Sequence, residues 1–256
     1  MIVITGDSHV NALRHGAASL AEELRQRVEH PIRIGALGNG KHTLQPFAEA
    51  SADGVRLTEP SYATALRRLT GEDAFRPKPG VTHGICLGFH SPPTFRHPMW
   101  QRHAPSSLRI GHGKIPVSSA VLEAIVLANN RHIYDFFGAL AEAGVDFFVI
   151  SSPPPRRDHY CLKQTPAEVI LEVDRAFRAA VQRHLDSLGV RYVVPPAGVF
   201  DEQGFLREDM AQKAPNDFHH GNAGYGKAVI RALFLDDPES PLNPAAPHRA
   251  RNSGLT

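Results

Sequence analysis

Short apolar runs alternate along this chain with longer stretches of helical spacing. Residues 2–4 are β-branched, which predicts a buried strand at the start of the chain. From Val10 onward the apolar residues recur at helical intervals, and they predict a first helix over residues 8–29 that ends before Pro31. The same change of period recurs along the chain. We therefore expect strands that alternate with helices, which is the pattern of a parallel sheet covered on both faces.

The later elements are predicted by the same change of period. Further strands are predicted at residues 32–34, 82–89, 145–150 and 190–194, and further helices at residues 61–69, 119–143, 165–188 and 222–235. In the helix that starts at Thr165, Pro166 in the first turn and Glu168 at the third position predict a capping box. We allow for a break in the 119–143 helix at residues 129–130.

Five strands with right-handed crossovers favour an α/β fold, namely a flavodoxin-like three-layer α/β/α sandwich with a five-stranded parallel sheet in the order 2-1-3-4-5. We expect one domain over residues 1–235 and a loosely packed tail over residues 236–256. Residues 90–116 contain five prolines and no sustained period, which is typical of a functional loop or lid. Phe95 and Trp100 in this loop would either stack on a ligand or pin the loop to the core.

Composition excludes several classes of protein. The chain has 256 residues, 42% of them hydrophobic, a net charge of +2 and no block of Lys or Arg, so we expect no nucleic-acid or anionic-membrane partner. No apolar run approaches the ~20 residues that span a bilayer. The first strand is predicted to start at residue 2, which argues against a signal peptide. Cys86 and Cys161 are far apart and fit neither a disulfide framework nor a zinc motif. We therefore expect a cytoplasmic, reduced protein, and no sequence feature specifies its oligomeric state.

Candidate chemistry lies where predicted strands and helices meet. Ser8 falls between the first strand and the first helix, beside free backbone N–H groups and the positive end of a helix dipole, which suits a nucleophile that generates an oxyanion. Near the other end of the chain, Asp217 and His220 precede the last helix. A carboxylate that holds one imidazole nitrogen leaves the other nitrogen free to take a proton from a serine. Alternatively, Asp7 or Ser8 merely caps the first helix, and Asp217 caps the last.

The two ends together resemble the GDSL, or SGNH, hydrolase family. The resemblance is carried by Gly6-Asp7-Ser8 and by Asp217-x-x-His220-x-Asn222, and it covers residues 2 to about 235. It implies a flavodoxin-like sandwich, a nucleophile at Ser8 and a triad completed by Asp217 and His220. It also implies an acyl-enzyme mechanism on a small-molecule ester, without a cofactor.

The middle motifs of the family match this chain less well. A glycine after the second strand, Gly38 in preference to Gly40, would supply an N–H group to the oxyanion hole beside that of Ser8. The family's third motif, Gly-x-Asn-Asp, corresponds here to Gly88-Phe-His-Ser91, so His90 stands where an oxyanion-donating Asn is usual. Neutral imidazole donates one hydrogen bond, so we expect His90 to replace the amide if its tautomer is held. The alternative is a weakened or repurposed site.

The predicted function is therefore cleavage of an acyl or acetyl ester of a small molecule, sugar or lipid through an acyl-enzyme on Ser8. Acyl transfer by the same triad, or a binding protein that retains the fold, are the alternatives. Candidates for substrate binding follow the predicted strands; they are Asp7, Asn39, Phe89, Arg156 and Arg157. The two arginines fit a solvated basic rim equally well.

Two rival sites are weakly supported. Residues 35–41 nearly match a phosphate-binding P-loop, but His42 replaces the magnesium-binding hydroxyl and Pro46 comes too soon for the required helix, so we expect no nucleotide. Fifteen histidines invite a metal site, with members at His97, His103 and His112 and at residues 219–220. Their spacing fits no standard site, so we expect scattered, mostly exposed histidines, no metal, and a bystander role for His219.

Overall fold

Five parallel strands form the central sheet in the computed structural model, which describes residues 1–108 and 113–236. The strands of the described residues are β1 (Ile2–Gly6), β2 (Ile32–Ala36), β3 (Ala48–Ser51), β4 (Gly54–Leu57), β5 (Ala74–Phe75), β6 (Thr82–Cys86), β7 (His103–Pro105), β8 (Ile115–Val117), β9 (Phe147–Ile150) and β10 (Arg191–Val193). In the central sheet Gly6, the last residue of β1, pairs with Ala36 of β2 and Cys86 of β6. The segments that follow these three strands therefore leave the sheet at the same edge.

The central sheet has the order β2-β1-β6-β9-β10, whereas the sequence interpretation numbered its strands 2-1-3-4-5. The numbers differ because the chain contains further short strands that the hydrophobic pattern did not predict. Of these, β3, β4 and β5 form a small antiparallel sheet, and β7 pairs with β8. The α/β class with a five-stranded parallel sheet is confirmed.

Seven α-helices lie in the described residues: α1 (Val10–Ser19), α2 (Ala21–Arg27), α3 (Pro60–Thr70), α4 (Pro92–Phe95), α5 (Ser119–Glu142), α6 (Ala167–Ser187) and α7 (Ala223–Phe234). The single first helix that we predicted is two helices, because Leu20 leaves the helical conformation. The break near residue 130 is absent from α5, since the Asn130 amide donates to Val126 O and stays within the helix. The capping box at Thr165 is also wrong, because Pro166 is the N-cap and no side chain caps α6.

Two apolar cores lie on opposite faces of the central sheet. On one face α1, α2 and α7 pack on alternate strand residues such as Ile4 and Phe148. On the other face α3, α5 and α6 pack on Ile85 and Val149. Because successive strand residues point to opposite faces and both faces are covered, β1 and β9 appear in the sequence as mostly continuous hydrophobic runs.

The segment that we expected to be irregular contains short elements that pack on the core. Trp100 is fully buried, and its indole N–H donates to Thr94 O at 2.8 Å. Phe95 is 1% exposed, so both aromatic side chains anchor this segment to the core and neither is open to a ligand. His112 and residues 237–256 lie outside the described residues, and the predicted lid and tail stay predictions.

Cys86 and Cys161 are both buried and unpaired. Within residues 1–108 and 113–236, no helix is long and apolar enough to cross a membrane.

Two glycines bring the backbones of α1 and α7 into direct contact. A Cβ atom on Gly226 would lie 1.7 Å from Ala12 O, and one on Gly16 would lie 2.2 Å from the Gly226 carbonyl carbon. Any side chain at either position would therefore force the helices apart. Since α1 starts just after Ser8 and α7 starts just after His220, this helix contact fixes the separation of Ser8 and His220.

Candidate active site

Ser8, His220 and Asp217 form a continuous chain of hydrogen bonds. The Ser8 Oγ atom is 2.7 Å from His220 Nε2, and His220 Nδ1 is 2.9 Å from Asp217 Oδ2. A carboxylate accepts only from a protonated nitrogen, so the His220 proton is on Nδ1 and the lone pair of Nε2 faces the serine hydroxyl. The structure thus brings together the three residues that the sequence singled out as a triad.

The loop before α7 has a defined local structure. Asn216 adopts a left-handed φ of 61°, which Asn tolerates better than most residues, and this turn precedes Asp217. At the other end, Asn222 caps α7, because its Oδ1 accepts from the N–H groups of Gly224 and Tyr225. The cap of the last helix, which was the alternative role for Asp217, is supplied by Asn222, and the Asp217 carboxylate contacts His220 instead.

The charge of Asp217 is stabilised by backbone donors. Its Oδ1 accepts the N–H groups of His219 at 3.2 Å and His220 at 3.0 Å. Burial acts to raise the pKa of Asp217, but these N–H groups outweigh it and hold the pKa below its usual value. The carboxylate is therefore ionised at neutral pH and can stabilise an imidazolium at His220.

Arg156 stabilises the loop before α7 through hydrogen bonds to its backbone. Our expectation that Arg156 binds substrate is therefore wrong. Its side chain is buried, and its Nη1 donates to Gln212 O at 2.8 Å and to His220 O at 3.4 Å. The same guanidinium pairs with Asp158 through two hydrogen bonds. A buried fork of this kind holds two parts of the loop together.

Arg157 and Phe89 are also wrong as candidates for substrate binding. The Arg157 guanidinium pairs with Asp201 and lies 5.2 Å from the centre of the Phe205 ring. Phe89 is fully buried in the core. Neither residue lines the cleft beside Ser8.

The Ser8 hydroxyl does not cap α1, and the neighbouring Asp7 is not open to a substrate. The N-cap of α1 is His9, which makes no side-chain cap, and Asp7 Oδ1 accepts the His9 N–H at 2.9 Å. Burial raises the pKa of Asp7 to about 7, against the opposing effect of that N–H. The Asp7 carboxyl group lies against the glycine loop, since a Cβ atom on Gly40 would lie 3.1 Å from Asp7 Oδ2. In a P-loop, phosphate would occupy this place, so an acidic side chain here disfavours phosphate binding.

Two backbone N–H groups near this edge of the sheet are unused. Within the described residues, the N–H groups of Ser8 and Gly38 donate to no other residue. The Gly38 loop is braced by Tyr62, whose ring would lie 3.0 Å from a Cβ atom on Gly38 and whose hydroxyl donates to Asn39 O. Asn39 is exposed, and its Oδ1 accepts from the Lys41 N–H, so it serves this turn locally.

Four imidazole rings cluster beside Ser8: those of His9, His90, His219 and His220. Their centres are 4.2 Å apart between His219 and His220, 4.6 Å between His9 and His220, and 4.8 Å between His9 and His90. For these four residues the expectation of scattered, exposed histidines is wrong. His9 is missing from our sequence-based site, although its position directly after Ser8 was a usable signal.

The contact between His9 and His90 determines where their protons lie. His9 Nε2 is 3.0 Å from His90 Nδ1, so one of these nitrogens donates to the other. His9 Nδ1 is buried without a hydrogen-bond partner among the described residues. Buried N–H groups without acceptors are rarer than unused lone pairs, so Nδ1 carries the lone pair and Nε2–H donates to His90. The His90 proton is therefore on Nε2.

Burial and the neighbouring rings keep His9, His90 and His219 neutral. Burial lowers the pKa of His9 and of His90 well below the usual value, and repulsion from the other histidines lowers both further. Burial also lowers the pKa of His219 to about 4. At neutral pH, His90 is thus an uncharged donor through Nε2.

The His90 segment is tied to α6 by a network that the sequence did not reveal. Ser91 donates to the Asp174 carboxylate, which also accepts from Arg178 Nε at 2.8 Å. Arg178 in turn donates to Pro153 O at 2.9 Å. The segments that follow β6 and β9 are therefore joined through one partly buried ion pair.

A cleft of about 190 Å³ opens beside Ser8 and His220. Most of the residues that line it have polar side chains; they are Ser8, Asn11, His15, Gln212, Asp217, His220 and Asn222. No described residue of the 90–116 segment lines it.

No protein-family model matches the chain, and no curated protein matches it. Several solved structures are similar to it over most of its length. A GDSL-like lipase from Bacteroides thetaiotaomicron is 10% identical with a TM-score of 0.45, over 91% of this chain and 84% of that one. A carbohydrate acetylesterase family member from Sinorhizobium meliloti is 14% identical with a TM-score of 0.43, over 91% and 94%.

A third similar structure is the periplasmic domain of a lipopolysaccharide acetyltransferase from Salmonella ser. Paratyphi A. It is 12% identical with a TM-score of 0.44, over 90% of this chain and 80% of that one. Identities and TM-scores of this size say nothing about the chemistry of this chain, which depends on its own residues.

Proposed function

We propose that this protein is a serine acyl hydrolase that cleaves a small-molecule ester through an acyl-enzyme on Ser8. The supporting observation is the chain of hydrogen bonds from Ser8 Oγ to His220 and on to Asp217, at 2.7 Å and 2.9 Å. A serine hydroxyl is a weak nucleophile that needs a base, and the base needs a group to orient it. Both groups are in contact here in the required order.

In this mechanism Ser8 Oγ attacks the ester carbonyl carbon while its proton passes to His220 Nε2. The tetrahedral intermediate collapses, and the alcohol leaves with the proton from His220. Water then attacks the acyl-Ser8 ester, gives its proton to His220, and releases the carboxylic acid as the Ser8 hydroxyl is restored. Asp217 stays ionised throughout and stabilises the imidazolium that forms twice in each cycle.

The oxyanion of each tetrahedral intermediate would be held by the N–H groups of Ser8 and Gly38 and by His90 Nε2–H. The two backbone groups have no acceptor among the described residues. The third donor depends on His9, whose hydrogen bond to His90 Nδ1 keeps the His90 proton on Nε2. One such donor typically contributes about 10²–10³ in turnover.

The cleft supports a small substrate. Its volume of about 190 Å³ is below the roughly 300–1,000 Å³ of most drug-sized ligand sites. Amide and imidazole side chains such as Asn11, His15 and Gln212 contribute hydrogen-bonding groups. We therefore favour a short acyl group, such as acetyl, on a polar alcohol over a long-chain lipid.

Acyl transfer would use the same acyl-enzyme, with the hydroxyl of a second substrate in place of water. The two reactions separate at deacylation. Turnover that rises when a polar alcohol is added, with the acyl group recovered on that alcohol, would identify a transferase. Products that are independent of added alcohol would identify a hydrolase.

The test is hydrolysis of short-chain esters by the wild type, Ser8→Ala, His220→Ala and Ser187→Ala. Ser187 is an exposed serine at the end of α6, so its variant controls for loss of a hydroxyl. We expect turnover to vanish in the first two variants and to persist in the third, with all of them folded by circular dichroism. Wild-type turnover in Ser8→Ala or His220→Ala would exclude the proposal.

A further inference from the structure

We propose that His9, His219 and His220 form a binding site for Zn²⁺ or a similar divalent transition-metal ion, and that metal bound there reversibly inhibits the Ser8 chemistry. Each of the three residues offers one ring nitrogen, and these nitrogens all lie within 4.8 Å of one another. Imidazole is a preferred ligand of zinc, copper and nickel. Three histidines with a fourth position open to solvent form a recurring zinc ligand set.

The three rings are near the spacing that a metal requires. A tetrahedral zinc ion with Zn–N bonds of about 2.0–2.1 Å separates its ligand nitrogens by roughly 3.3 Å. The ring centres of His9 and His220 are 4.6 Å apart, and those of His9 and His219 are 5.6 Å apart. Ring rotations that bring the farthest nitrogens about 1.5 Å closer would complete the site.

His9 presents a lone pair that has no use in the metal-free protein. Its Nε2–H donates to His90 Nδ1, and its Nδ1 is buried without a partner among the described residues. Only 4% of His9 is exposed, so solvent does not satisfy this nitrogen. A metal ion in the cluster would supply the missing partner.

His220 already makes the hydrogen bond to a carboxylate that metal-bound histidines usually make. Metal-bound histidines usually donate their other ring N–H to a carboxylate or carbonyl, which fixes the ring and raises its basicity. Here His220 Nδ1 donates to Asp217 Oδ2, and Asp217 Oδ1 accepts the backbone N–H of His219. One carboxylate therefore orients one ligand and holds the backbone of the next.

Inhibition follows from the single lone pair of His220 Nε2. This lone pair faces Ser8 Oγ at 2.7 Å in the metal-free protein, and it cannot accept a proton while it binds a metal. Metal and Ser8 thus compete for the same nitrogen. The inhibition rests on the proposed function, whereas metal binding by the three histidines does not.

Binding is tested on tag-free, metal-stripped protein with Zn²⁺ by calorimetry and with Co²⁺ by visible absorption. We expect one equivalent of Zn²⁺ and a tetrahedral Co²⁺ spectrum in the wild type. His219→Gln should weaken binding at least about tenfold, a typical cost for losing even a supporting contact of a metal site. His103→Gln is the matched control, because His103 lies outside the cluster and should leave binding unchanged.

Unchanged affinity in His219→Gln, or several weak equivalents spread over the histidines of the chain, would overturn the site. Ser8→Ala keeps all three ligands and removes the competing hydroxyl, so it should bind Zn²⁺ at least as tightly as the wild type. This result does not depend on any enzyme activity. Thermal unfolding of each variant shows whether it is folded.

Inhibition is tested by the rate at which a fluorophosphonate labels Ser8. The rate should fall in proportion to Zn²⁺ occupancy, return on addition of a chelator, and be insensitive to the same Zn²⁺ in His219→Gln. Full-rate labelling of the zinc-saturated protein, or metal-dependent turnover by Ser8→Ala, would overturn inhibition. Metal binding without any labelling of the metal-free wild type would instead remove the proposed function and leave the metal site standing.

Discussion

His90 occupies the position at which the sequence departs most from the family that it resembles, and its role depends on one proton. The His9 contact places that proton on Nε2. If Nε2–H holds the oxyanion, His90→Ala should lower kcat about 10²–10³-fold with little change in KM. His90→Asn should restore most of the loss, since an amide also donates, and exposed His97→Ala is the control. A His90→Ala enzyme with wild-type kcat in steady-state kinetics would contradict this role.

His83 makes stability depend on pH, away from the site. It lies on β6 with a buried, unpartnered Nδ1, and burial lowers its pKa to about 4, against the opposing charge of Asp146. The unfolded chain therefore takes up a proton near the usual value of 6.5, before the folded chain does. Stability from this group is complete above that value and is lost as the pH falls towards about 4.

His83→Phe should remove this dependence while it keeps the edge-on ring contact with Phe75. Between about pH 8 and about pH 5 we expect the wild type to lose about 2 kcal/mol more stability than the variant. Urea unfolding at the two pH values measures the difference. Parallel losses in the two proteins would show that His83 does not titrate in this way.

The contact between α1 and α7 connects packing to chemistry, since Ser8 precedes one helix and His220 precedes the other. We expect Gly226→Ala to cost about 1–3 kcal/mol or more, because its Cβ atom has no space against Ala12 O. Catalysis should fall even where the variant is fully folded, because the Ser8–His220 distance increases. Gly138→Ala in α5 is the matched control, as nothing lies within 4 Å of its Cβ position. The control should gain up to about 1 kcal/mol from helix propensity.

Thermal unfolding and ester turnover at a temperature where both variants are folded make this comparison. A folded Gly226→Ala protein with wild-type turnover would show that the helix contact does not set the geometry of the site.

Long elements with a clear period were predictable, whereas short ones were not. The sequence indicated α3, α5 and α7 to within a few residues, because their apolar faces pack against the sheet with the helical period. It missed β3, β4, β5, β7 and β8, each of four residues or fewer, since so few residues cannot establish a period of two. The capping box predicted at Thr165 does not form. Thr165 is buried, and its backbone N–H donates to Cys161 O.

Over the whole molecule, the site lies at the edge where β1, β2 and β6 end. Parallel strands leave the sheet at one edge, so sequence alone could bring Ser8, the Gly38 loop and His90 to it. Arg156 and Asp174 could not be assigned in this way. The carbonyls of Gln212 and His220 that accept from Arg156, and the Ser91 hydroxyl that donates to Asp174, lie far away in the chain. No local pattern records which distant carbonyl or hydroxyl a side chain will reach.

The Asp174–Arg178 pair should be worth more than any exposed ion pair, because its side chains are only 9% and 12% exposed. Asp174→Ala leaves Arg178 partly buried without its carboxylate, and we expect a loss of about 3–5 kcal/mol. Arg183→Ala, on the same helix as Asp174, breaks an exposed pair with Glu123 of α5 and should cost less than about 1 kcal/mol. Equal urea midpoints for the two variants would contradict this assignment.

The central claim is that Ser8 is an activated nucleophile, and intact-mass labelling with a fluorophosphonate tests it most directly. The account predicts a single adduct on the metal-free wild type and none on Ser8→Ala under the same conditions. An unlabelled wild-type protein, or an adduct that persists in Ser8→Ala, would contradict it.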